Sequence, residues 1–224
     1  MTFSIVARCP ETGEFGVAAA TAMPAVGSLL QHADSGIGAI ASQARVNPYL
    51  GIDGLALLRE GLSASEVLER LEKTDPRFDL RQVAIVDAQG RTAAWTGDGC
   101  PKWAGDYQGE GFSVQGNRVD GLDVLEAAAD AFMRLSNRPL IERLIQALVA
   151  GDAFGGDREG EDSASAYVVG KETYPLWDIR VDYDEDPIAE LQRHYEIFRR
   201  DLYPHIVKMP TRENPAGEHG EDPV

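Results

Sequence analysis

The spacing of apolar residues predicts short strands and amphipathic helices that come in blocks. Residues 2–8 and 15–21 read as two strands, and Pro10-Glu11-Thr12-Gly13-Glu14 between them carries turn chemistry, so the chain opens on a hairpin. Ala18, Ala19, Ala20 and Ala22 make the second strand small-sided, as if another layer approached it closely. A third, buried strand is predicted at 36–43. Helical periodicity follows at 51–60 through Leu55, Leu57 and Leu58, and resumes at 64–72 after Ser63, with Glu66 completing a capping box.

A second hairpin spans 81–96 around the turn Asp87-Ala88-Gln89-Gly90, and residues 97–110, rich in Gly, Asp and Pro, read as an irregular loop. Phe112 to Asn117 is a short strand entering a polar turn. Helices are expected at 121–135 and 138–150, then strands near 163–170 and 176–182, then a helix opened by Asp186-Pro187 and running to about Tyr203. Strands and helices in blocks point to antiparallel sheets covered by helices, not to a doubly wound parallel sheet. Eight predicted strands exceed the needs of one half-covered sheet. The simplest closed arrangement is α+β: a four-layer α/β/β/α sandwich of two stacked, mainly antiparallel sheets.

Composition narrows the setting. With 224 residues, 43% of them hydrophobic and 26% charged, the chain fits a single domain over residues 1–205. Residues 206–224, polar with Pro and Gly, read as a flexible tail. A net charge of −16 repels phosphate backbones and anionic lipid, so neither nucleic acid nor membrane is an expected partner. The opening residues carry no basic segment before a long apolar core, and Cys9 and Cys100 lie far apart without metal-binding or disulfide spacing. A reduced, cytoplasmic setting is the expectation, with a homo-oligomer left open.

Familiar catalytic motifs are missing: the sequence holds no GxSxG, P-loop or HExxH. His32, His194, His205 and His219 stand singly, and the acidic run 182–187 places Pro187 where a calcium loop requires Gly. No metal and no cofactor are expected. Attention falls on Thr2, small enough to be exposed when Met1 is removed. Its hydroxyl would be the nucleophile and its α-amine, with a pKa of about 8, the base. A second-position threonine that merely begins a strand is the plain alternative.

A wider pattern bears on that choice. Thr2-Phe3-Ser4-Ile5-Val6-Ala7-Arg8, Glu14-Phe15-Gly16-Val17-Ala18, Ala41-Ser42-Gln43-Ala44, Asn47-Pro48, Val114-Gln115-Gly116-Asn117 and Gly155-Gly156-Asp157-Arg158 recur in order from residue 2 to about 200. As a set they resemble the bacterial family catalogued as domain of unknown function 1028, regarded as Ntn-hydrolase-like. The resemblance implies the α/β/β/α fold and says little about substrate. The chain departs from the family pattern at Cys9, where Asp is usual, and at Arg45-Val46, where an aromatic residue usually precedes Thr-Asn-Pro.

Roles follow on chemical grounds. Asn117, beside Gly116, is the candidate oxyanion donor or else a turn former, and Asn47 presents the same two options. Asp157 is placed to orient the α-amine or hydroxyl, and Arg158 and Arg45 to hold a substrate carboxylate, with surface ion pairs as the alternative. Ser4 shares a strand face with Thr2. Ser163 either lines the site or suits a tightly packed strand. The reading is an amide-bond hydrolase acting on a small molecule or peptide. The alternative is a non-catalytic ligand-binding or oligomer-forming protein that retains the fold.

Overall fold

The computed structural model describes residues 2–155 and 160–218. In chain order the described elements are strands β1 (Thr2–Arg8), β2 (Phe15–Thr21), β3 (Gln31–Asp34) and β4 (Gly38–Ala44), then helices α1 (Pro48–Arg59) and α2 (Ala64–Thr74). Strands β5 (Arg81–Asp87), β6 (Thr92–Thr96), β7 (Ala104–Gly109) and β8 (Phe112–Asn117) follow, then α3 (Leu122–Arg134) and α4 (Leu140–Ala153). The chain continues through β9 (Ser163–Val169), β10 (Pro175–Val181), α5 (Pro187–Asp201) and the short α6 (Tyr203–Ile206).

The strands form two sheets. One has the order β10-β9-β2-β1-β8-β7 and the other β3-β4-β5-β6. Every described pairing is antiparallel. The alternation along β1 shows how the sheets stack, because successive side chains point to opposite faces. Phe3, Ile5 and Ala7 join an apolar cluster with residues of α3, α4 and α5. Val6, on the other face, packs with Val17 and Ala19 of its own sheet and with Ala39, Ala41, Ala84 and Val86 of the second. The second sheet turns Ile40, Val83 and Ile85 toward Leu50, Leu55, Val67 and Leu71 of α1 and α2. Ala19 of β2 faces Ala39, Ala41 and Ala84 between the sheets, while Ala18 and Ala20 face the helices on the other side, so the small-sided strand lets a layer approach on each face.

Local signals set most boundaries. Ser63 and Glu66 form the expected capping box, with Ser63 N–H donating to Glu66 Oε2 at 2.8 Å and Glu66 N–H to Ser63 Oγ at 3.4 Å. Asp186 caps α5 by accepting from Ala189 N–H at 3.2 Å, with Pro187 in the first turn. Two elements differ from the sequence reading. Residues 104–109 form edge strand β7, although 97–110 reads as loop, because a two-residue turn at Glu110-Gly111, with Gly111 at φ +75°, folds it back onto β8. Pairing there outweighs the poor strand propensity of Ala-Gly-Asp-Tyr-Gln-Gly. Strand β3 is four residues long, at an edge and only partly buried, so it leaves little alternation to read.

No helix among the described residues is long and apolar enough to cross a membrane. Residues beyond α6 hydrogen-bond back to the body, where Tyr174 Oη donates to Pro210 O at 3.2 Å.

The contact between α4 and the first sheet is set by Gly16 in β2. A Cβ at that position would lie 2.5 Å from Leu144 Cδ1 and 3.0 Å from Val168 Cγ2. Both neighbours are fully buried, so neither has free room to move. Gly16→Ala is expected to destabilise the fold by about 1–3 kcal/mol through overpacking. Urea denaturation monitored by circular dichroism measures this, and unchanged stability would show that α4 yields at no cost.

Candidate active site

Strand register brings the candidate residues together. Thr2 pairs with Thr21 on one side and Asn117 on the other, and Thr21 pairs with Ser163. Directly paired residues share a face, so these four side chains form one row at the end of the first sheet, turned toward the second. Thr2 is 7% exposed, and its Oγ1 lies 3.0 Å from Thr21 Oγ1.

Behind Thr2 the space between the sheets holds amides and hydroxyls instead of hydrocarbon. Ser4 Oγ donates to Gln43 Oε1 at 2.6 Å and accepts from Gln115 Nε2. Gln43 Nε2 donates to Gln82 Oε1 at 2.8 Å, and Asn117 Nδ2 reaches the same oxygen at 3.1 Å. Gln82 Nε2 donates to Gly116 O, Thr96 Oγ1 and Gly105 O at 2.9, 2.9 and 3.1 Å. Longer contacts of 3.4 Å run from Gln43 Nε2 and Asn117 Nδ2 to the carbonyl of Thr2. Ser4, Gln43, Gln82, Gln115 and Asn117 are all buried. Each bridge crosses from one sheet to the other or along one face, so the network fixes the separation of the sheets beside Thr2.

Two cavities open here. The first, of about 280 Å³, is lined by Thr2, Thr21, Gln43, Ser42 and an apolar set including Met23, Val26, Leu29 and Val46. The second, of about 290 Å³, is bounded by Asn117, Arg45, Arg118, Leu80 and Pro101, and the two share Ala44. Among the described residues the non-glycine positions with positive φ are Ala25 (60°), Ala44 (66°) and Arg118 (59°). All three line these cavities. A left-handed backbone costs an alanine roughly 1–2 kcal/mol, and such residues concentrate at sites of function.

The expected residues divide into groups. Thr2, Ser4 and Asn117 come together. Ser4 is fully engaged in the amide network. Ser163 Oγ donates to Met23 O at 2.6 Å and accepts from Val26 N–H at 3.0 Å, so it ties down the cavity wall. Asn47 caps α1, accepting from Tyr49 N–H at 3.2 Å and donating to Asp75 at 2.9 Å. Arg45 is exposed at the second cavity. Asp157 and Arg158 lie outside the described residues. Thr21, Gln43 and Gln82 are additions. The hairpin register alone places Thr21 opposite Thr2, and Gln43 and Gln82 are polar residues at inward positions of otherwise apolar strands.

The loop carrying Arg45 is held by a partly buried ion pair. Arg81 Nε lies 2.9 Å from Asp75 Oδ2, and Arg81 Nη1 donates to Arg45 O at 2.6 Å. Burial alone would raise the Asp75 carboxyl, but hydrogen bonds from Arg81, Asn47 and the Arg77 backbone hold it below the usual carboxylate range. Among the described residues no group of three or more His, Cys, Asp or Glu is placed to hold a metal ion.

The family model described as "Family of unknown function (DUF1028)" matches residues 2–191. A crystal structure of a protein of that family from Silicibacter pomeroyi superposes with a TM-score of 0.88 at 29% sequence identity, covering 98% of this chain and 99% of the other. Anbu, an ancestral beta-subunit from Yersinia bercovieri, gives a TM-score of 0.39 at 11% identity over 91% and 97% of the two chains, too low to inform fold or chemistry. No curated protein matches the sequence.

Two outcomes follow from this geometry. Gln82→Leu preserves volume but strands the donors of Gln43 and Asn117 and two backbone carbonyls, and is expected to cost about 2–5 kcal/mol in urea denaturation. A loss under 1 kcal/mol would show that water replaces the glutamine. Asp75 has a folded pKa below its unfolded value near about 4. Its contribution is therefore fully present above that value and fades as pH falls through the lower, folded one. Asp75→Asn is expected to flatten the stability profile below about pH 4, which acid titration followed by fluorescence checks.

Proposed function

We propose that this chain, which belongs to the DUF1028 family, is an amide-bond hydrolase that acts through Thr2 as an N-terminal nucleophile on a small molecule or peptide. We read the helix–sheet–sheet–helix order as the four-layer Ntn-hydrolase-like sandwich, with residues 1–205 as one domain. The observation that carries the reading is the position of the Thr2 side chain. Thr2 forms part of the wall of a cavity, at a strand end, with its hydroxyl 3.0 Å from a second hydroxyl.

In the proposed chemistry, removal of Met1 frees the Thr2 α-amine. Thr2 Oγ1 attacks the substrate carbonyl carbon while its proton passes to that amine, directly or through water. The carbonyl oxygen becomes an oxyanion. Asn117 is the proposed donor to it, because its 3.4 Å bond to the Thr2 carbonyl is long and readily exchanged for a stronger, charge-assisted one. The proton then moves to the leaving nitrogen, the C–N bond breaks, and a threonyl ester remains. Water attacks the ester, releasing the acid and restoring the hydroxyl. Thr21 is proposed to orient Oγ1 through their hydrogen bond. Ser4, Gln43 and Gln82 hold the strand end in place, and no histidine, lysine or carboxylate lines the Thr2 cavity among the described residues. That environment suits a reaction whose base is the amine itself.

Thr2→Ala is expected to lower turnover of a cleavable amide by about 10³-fold or more while costing about 1 kcal/mol of stability, the value of one buried hydrogen bond. Thr2→Ser should retain turnover, and protein retaining Met1 should have none. Because the base works unprotonated, kcat/KM should rise with pH through a value near about 8 and then level off. Steady-state kinetics with intact-mass confirmation of the N-terminus test this. Full activity with Met1 in place would end the mechanism.

A further inference from the structure

The two cavities beside Thr2 differ sharply in chemistry, and the difference defines a substrate. Among the described residues, no ionisable side chain lines the Thr2 cavity. Met23, Leu29 and Val46, which contribute to it, are 63%, 51% and 40% exposed, large apolar groups left open to solvent around a concave site. Exposed apolar surface of this kind marks a binding surface when it gathers around a pocket. The cavity across Asn117 carries Arg45 and Arg118 and, among the described residues, no acidic lining residue. In a chain with 37 acidic residues against 21 basic ones, that local reversal of sign selects for an anion.

Thr2 and Asn117 are cross-strand partners, and such residues lie about 5 Å apart. One amide can therefore sit over the pair with its acyl side in the apolar cavity and its amine side toward the arginines. A cavity of about 150 Å³ encloses a six-carbon ring, so one of about 280 Å³ holds an acyl group of roughly six to ten carbons.

Resting on the Thr2 reading, we propose that the substrate is an N-acyl amino acid, with an uncharged medium-length acyl group beside Thr2 and a free carboxylate held by Arg45. The reaction balances as hydrolysis. Thr2 Oγ1 takes the acyl group, the amino acid leaves with the proton on its nitrogen, and water then releases the fatty acid. A guanidinium suits this carboxylate because it can donate two parallel hydrogen bonds to it. Arg45 is the residue the test turns on, since it is exposed and its removal disturbs no packing.

The test separates binding from chemistry. Isothermal titration of Thr2→Ala protein with N-octanoyl-alanine measures recognition without turnover. Expected is saturable binding that weakens about tenfold or more for N-ethyloctanamide, which lacks the carboxylate, and by a similar factor in Thr2→Ala/Arg45→Ala. Shortening the acyl chain should weaken binding by about fourfold per methylene, and Val46→Trp should abolish binding of the octanoyl compound by filling the cavity. Mass spectrometry of octanoate release by the Met1-free wild type supplies the second readout. Binding without release keeps the substrate class and overturns the nucleophile. Release from other amides with no binding of N-octanoyl-alanine keeps the nucleophile and overturns the class. Binding indifferent to both the carboxylate and Arg45 also overturns the class.

Discussion

A polar group buried without a partner costs more than a made hydrogen bond returns, and this asymmetry governs the space between the two sheets. Toward one end the sheets meet through hydrocarbon, mostly alanine and valine with Phe15 and Leu30. Toward the Thr2 end they meet through Ser4, Gln43, Gln82, Gln115 and Asn117, each of which must find partners at fixed distances. Hydrocarbon tolerates a small slip of one sheet over the other. A glutamine oxygen that accepts from two side chains on different strands does not. The amide layer therefore acts as a register lock, and the strand end bearing Thr2 inherits its precision.

The lock is also neutral. Glutamine, asparagine, serine and threonine do not titrate in the range where proteins work, so the scaffold around Thr2 keeps its shape as pH changes. Charge is kept one step away, in the Asp75–Arg81 pair, where it fixes the loop that borders both cavities. Backbone strain falls on the walls of these cavities, at Ala25 in the first, Arg118 in the second and Ala44 in both. A rigid interior tolerates strained segments at its edge because it over-determines their path.

Much of this was legible in the sequence, and what escaped did so for identifiable reasons. Strands with apolar runs bounded by turn signals, such as 2–8 and 81–87, and helices with caps, such as the one opened by Ser63, are set by local chemistry and could be read directly. Strands β3 and β7 could not, because each exists through pairing with a neighbour and not through its own residues. The nearness of Thr2 to Asn117 is expected from the Gly-flanked strand end that Asn117 occupies, yet its cause is strand register, a long-range property. In sequence Asn47 reads as a donor to the ligand and Ser163 as a residue lining the site. Asn47 caps a helix, a role that the Asn47-Pro48 pair signals locally, whereas the partner of Ser163, the wall at 23–26, is remote in sequence and leaves no signature in the local pattern.

The way that wall is fastened has an evolutionary consequence. Residues 23–26 are pinned by backbone groups: Met23 O and Val26 N–H to Ser163, and Ala25 N–H to Asp182 O at 2.9 Å. Met23 and Leu29 contribute their side chains to the cavity while their backbones carry the anchoring or follow it. Changing those side chains reshapes the cavity without breaking an anchor. The shape of the cavity can thus drift by single substitutions at its mouth, each selectable by itself, with the anchors of its wall left in place.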